Sequence, residues 1–97
     1  MTKEIWLNLP VNNIQTTTDF FKKIGFTVNT NAPQSDTMVS FKIGQKNFIV
    51  NFFTTEVFKS FTNFKIAELD NATSCLISID AESRNEVDEI LDSAAAA

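Results

Sequence analysis

The sequence predicts a small α+β fold, and three observations carry the prediction. Ile5, Leu7 and Leu9 alternate with Trp6 and Asn8, a period of two, and the pattern then switches to a helical period before Gly25. The same switch recurs between Thr73 and Ala97. Between these two units lie three further strand-like stretches, so the first reads strand–helix–strand–strand–strand and the second strand–helix only. With 97 residues the chain suits one domain at most, and a chain of this size buries roughly 60–65% of its unfolded surface.

The first strand is half-buried by its alternation, and Pro10 is expected to end its pairing. Asn13 is a good N-cap, because its side chain can accept from the first free amides of a helix. The helix predicted over Ile14–Ile24 places Ile14, Thr17, Phe21 and Ile24 on one face. Thr16-Thr17-Thr18 is poor helix stock, so packing must hold that turn. Gly25 supplies the left-handed stop.

Phe26–Thr30 then reads as a second strand, residues 31–36 with Pro33 as a loop, and Met38–Ile43 as a third strand. Gly44-Gln45-Lys46 forms a hairpin turn into a fourth strand, Asn47–Thr54. There Phe48, Val50 and Phe52 point one way, and Ile49, Asn51 and Phe53 the other. A short helix is expected over Glu56–Phe61, an irregular crossing over Asn63–Ala72 and a fifth strand over Thr73–Ile79. Ser83-x-x-Glu86 is a capping box, and Val87, Ile90, Leu91 and Ala94 form the apolar stripe of a last helix.

Composition excludes several functions. Net charge is −4, and no basic cluster exceeds Lys22-Lys23, so a phosphate-neutralising surface for nucleic acid is missing. No apolar run approaches the roughly 20 residues needed to cross a bilayer, and Met1-Thr2-Lys3-Glu4 leads straight into a strand rather than a signal peptide. A single cysteine, Cys75, fits a reducing cytoplasm and is expected to be a small buried hydrophobe. Without any histidine to activate it, Cys75 is not expected to be catalytic. Ten Phe and no Tyr point to rings that fill a core or a dimer seam. Glu82, Glu86, Asp88, Glu89 and Asp92 lie along the last helix as a solvated face.

Ile5-Trp6-Leu7-Asn8-Leu9-Pro10-Val11, the helix ending Phe20-Phe21-Lys22-Lys23-Ile24-Gly25-Phe26, and the strand Phe48-Ile49-Val50-Asn51-Phe52-Phe53 together resemble the glyoxalase/bleomycin-resistance family of the vicinal oxygen chelate superfamily. The resemblance implies a βαβββ module over residues 1–55, a connecting segment over 56–72, and the first strand and helix of a second, incomplete module over 73–97. Two such modules pair so that their sheets form an open, U-shaped barrel. Metal-dependent members carry His or Glu on its concave side. The corresponding positions here are Trp6, Asn51 and Ser74, and none suits a transition metal, which wants imidazole, thiolate or carboxylate. No metal or other cofactor is therefore expected.

The alternation puts Trp6, Asn8, Asn51, Phe53 and Ser74, with Leu76 and Ser78, on the concave side as candidates for a neutral binding pocket. The alternative is that they line an interface or a collapsed cavity. Trp6 would stack a planar ligand or plug the former metal position, and the lack of a charged orienting group favours the plug. Three function classes follow: a metal-free protein binding a small neutral or amphipathic molecule, a superfamily enzyme (lyase, isomerase or dioxygenase) whose ligands lie beyond Ala97 or in a partner chain, and a dimerisation domain. A homodimer is expected, because a half-complete second module leaves strand edges and apolar surface open.

Overall fold

A computed structural model describes residues 1–33, 35–68 and 75–97. The elements follow as β1 (Trp6–Val11), α1 (Ile14–Lys23), β2 (Thr27–Val28), β3 (Met38–Ile43), β4 (Phe48–Thr54), α2 (Thr55–Lys59) and α3 (Arg84–Ala96). The four strands form one mixed sheet in the order β1-β4-β3-β2. β1 runs parallel to β4, while β4–β3 and β3–β2 are antiparallel. The chain is α+β, as its periodicity predicts.

The register separates two faces. Leu7 and Leu9 stand beside Val50 and Phe52, which stand beside Phe41 and Val39. Val39, Phe41, Val50 and Phe52 are the buried core, and Ile14, Phe21, Phe26 and Val28 pack on it. Phe21 is the hub. Its ring stacks on Phe52 at 4.9 Å and on Phe26 at 5.8 Å, and meets Phe41 at 5.7 Å. This packing is what holds α1 through its threonine-rich turn, where Thr18 Oγ1 also donates back to the Ile14 carbonyl at 2.8 Å.

Local chemistry sets the element ends. Asn13 Oδ1 accepts from the Thr16 amide at 2.9 Å and caps α1. Gly25, at φ 98°, turns the chain out of the helix, and the Phe26 amide closes on the Phe21 carbonyl. In the β3–β4 turn Gly44 has φ 78°, and Asn47, expected to begin β4, instead takes φ 55° and completes the turn. Ser83 caps α3 by accepting from the Glu86 amide, while the Glu86 carboxylate accepts from the Glu82 amide, one residue before the cap.

Four expectations need correction. Pro10 does not end β1: it sits opposite Phe53, and pairing runs on to Val11. β1 is an edge strand, the place in a sheet where a proline is tolerated because a missing N–H on the outer side costs no ladder bond. β2 shrinks to two residues, because the Asn29 side chain accepts from the Asn31 amide and its carbonyl from Ala32, which bends the chain away. Cys75–Ile79 forms no strand, and Leu76 is 88% exposed. Cys75 is accordingly exposed rather than buried. The expected strand residues Thr73 and Ser74 lie outside the described residues.

Candidate functional site

The sheet face opposite α1 is built in rungs that cross the strands. Asn8 on β1 stands opposite Asn51 on β4, and Asn51 opposite Ser40 on β3. Asn29 follows β2 and donates its backbone N–H to the Ser40 carbonyl at 2.8 Å. Four short polar residues thus form one row across the sheet. On one side of it runs Trp6–Ile49–Lys42–Thr27, and on the other Pro10–Phe53–Met38. Period-two alternation produces this arrangement, because each strand that sends an apolar side chain to the core sends its neighbour here.

The row divides into two pairs. Ser40 is fully buried and Asn29 is 8% exposed, and Asn29 Nδ2 donates to Ser40 Oγ at 3.2 Å. The other oxygen requirement is met locally, since Asn29 Oδ1 accepts from the Asn31 amide. This pair is a satisfied polar foundation. The second pair lies open: Asn51 Nδ2 donates to Asn8 Oδ1 at 3.1 Å across β1 and β4, within reach of solvent.

A cleft of about 220 Å³ lies over this face. Ile49, Asn51 and Met38 line its floor with the buried Ser40. Trp6 forms one wall, and Asn29, Asn31 and Ala32 the other. Every lining side chain is uncharged. Lys42 stands opposite Ile49 on the same rung but does not line the cleft.

Trp6 is 57% exposed, so in this chain the indole lines a cleft rather than plugging one. Asn51 lines it as well, with Asn8 hydrogen-bonded at its edge. Phe53 shares the face, but its ring meets Phe61, just after α2, edge-on at 5.0 Å. Leu76 and Ser78 are exposed in an irregular segment, off the sheet, and Ser74 lies outside the described residues. Sequence reasoning missed Ser40, Asn29, Asn31 and Met38. Alternation along β3 could have found Met38 and Ser40, since Phe41 belongs to the core and its neighbours must face the other way. The Asn29–Ala32 bend carries no such signal. Among the described residues, no group of three or more His, Cys, Asp or Glu is placed to hold a metal ion.

No protein-family model matches the chain, and no curated protein matches it. Among solved structures, the chain is similar to hypothetical protein SA1046 from S. aureus, with a TM-score of 0.81 and 23% identity. That match covers 99% of this chain and 70% of the other. The likeness is one of fold. Among the described residues no helix is long and apolar enough to cross a membrane.

Proposed function

We propose that residues 1–55 are a βαβββ module of the glyoxalase/bleomycin-resistance type, and that the chain binds a small neutral or amphipathic molecule on its open sheet face without a metal. One observation carries the binding reading: the cleft is lined only by uncharged side chains, with a half-exposed indole at its wall. An apolar surface with a few oriented amides is what a neutral ligand needs. The module reading is supported by the element order and by the parallel β1–β4 pair in a sheet ordered β1-β4-β3-β2. The metal-free reading is supported by a sequence without histidine and by amide and indole at the positions the resemblance assigns to ligands.

The test is a thermal-melting screen of small molecules read together with fluorescence from Trp6, the sole indole. Binding to the native state alone raises the melting temperature by mass action. The expected result is that neutral flat compounds raise it and perturb Trp6 together. Near-stoichiometric zinc, nickel, manganese or iron in protein purified without chelator, with an activity lost on chelation, would favour the enzyme class instead.

A second reading, self-association, is favoured by a different observation. Phe64, Leu76, Ile77, Ile79 and Leu91 are all exposed. The two readings are compatible, because the exposed apolar residues of the last third are not those that line the cleft.

A further inference from the structure

We infer that the Asn8–Asn51 pair is the recognition edge of the cleft, and that its ligand is an uncharged planar molecule carrying an amide or lactam edge. The inference rests on the binding reading above and names the chemistry that reading leaves open.

Two asparagine side chains facing each other can exchange two N–H···O bonds. Here one is made, from Asn51 Nδ2 to Asn8 Oδ1. Asn51 Oδ1 and Asn8 Nδ2 remain, one acceptor and one donor on directly opposed residues, and neither has a partner among the described residues. The inventory does not depend on which way the amides are turned. Rotating both by half a turn leaves Asn8 Oδ1 and Asn51 Nδ2 over, again one acceptor and one donor. Ser40 and Asn29, beside Asn51 on the same row, do not compete, being buried and bonded to each other.

A ligand group that completes such an edge must donate and accept from adjacent atoms. A primary amide or a lactam does this, with its N–H to the open oxygen and its C=O to the open N–H. A carboxylate brings acceptors only and sets an anion against the Asn oxygen. A tertiary amide likewise lacks the donor. Trp6 and Ile49, one rung along from the pair, supply an apolar surface for the rest of a flat ring. The cleft, at about 220 Å³, is smaller than the roughly 300–1,000 Å³ of drug-sized pockets, which fits a ligand of one or two rings.

Benzamide tests this on the full chain, beside toluene, benzoate and N,N-dimethylbenzamide. The readouts are Trp6 fluorescence and the side-chain amide resonances of Asn8 and Asn51. Benzamide is expected to shift both saturably. The dimethyl amide and benzoate should bind about tenfold more weakly or worse, as befits an unpaired donor or acceptor at the edge. Asn51→Leu should reduce benzamide to the level of toluene, and the more exposed Asn8→Ala should do the same if Asn51→Leu proves unstable. Toluene binding as well as benzamide would overturn the amide-edge assignment and leave the binding reading standing. Benzoate binding more tightly would do so too, by showing that Lys42 reaches the site. If none of the four perturbs Trp6 or either asparagine, both the assignment and the binding reading fall.

Discussion

Phe41 and Trp6 lie on opposite faces of one sheet, and truncating them should have opposite consequences. Phe41 is fully buried against Phe21 and Phe52. Phe41→Ala should therefore cost about 3–5 kcal/mol, as large-to-small core changes do, read as a lower urea midpoint. Trp6 is 57% exposed, so Trp6→Ala should stay within about 1 kcal/mol of the parent. A loss as large as that of Phe41→Ala would mean that a partner or ligand covers the indole in solution. Asn13, Gly25 and Ser83 are legible in the sequence because caps and left-handed stops are decided within a few positions of the chain. The sequence also places Trp6 and Asn51 on the open face. Whether an indole there plugs or lines depends on what the distant Asn29–Ala32 bend leaves unfilled, and no local pattern records that.

At the scale of elements, β3 falls where its alternation predicts, Met38–Ile43, because both of its neighbours in the sheet are present to pair with it. Residues 75–79 carry an equally apolar run and form no strand. The difference is not propensity but a partner for the backbone, since a strand is stabilised by its neighbours. The helices differ in the same way. α1 is anchored by Phe21 in the core, whereas α3 rests on α1 with Leu91 62% exposed and no fully buried residue. Hydrogen exchange should therefore show the β3 and β4 amides protected to the global limit, and α3 amides opening far more readily. Equal protection in both would indicate that α3 is covered in solution. Within α1, Asn13→Ala should lower stability by about 1 kcal/mol, because the Thr16–Thr18 turn that follows has little intrinsic helicity to replace the lost cap.

The whole molecule exposes more surface than a chain of its mass should. Its accessible area is 7929 Å² for 10.9 kDa, where a compact monomer would show about 5,600 Å². Its radius of gyration is 14.5 Å, against about 12.5 Å for a compact domain of this length. The excess, roughly 2,300 Å² by the same scaling, is larger than the roughly 800 Å² each partner buries in a standard interface. Exposed large apolar side chains stand at both ends of the chain, and from Phe64 onward they include Leu76, Ile77, Ile79, Val87 and Leu91. Water contact with such side chains is costly at about 25 cal/mol per Å², and a second copy of the chain offers the same surface in return. The protein is expected to sediment above monomer mass at tens of micromolar. Val87→Glu with Leu91→Glu, which places two charges on the α3 stripe, should shift it toward monomer. The double variant should leave the sheet's near-ultraviolet signature in place, since neither residue belongs to the core beneath α1. A parent chain that is strictly monomeric at that concentration would remove self-association from consideration. A variant that stays associated would instead move the interface off α3, toward residues 75–79 and the open edge of β1.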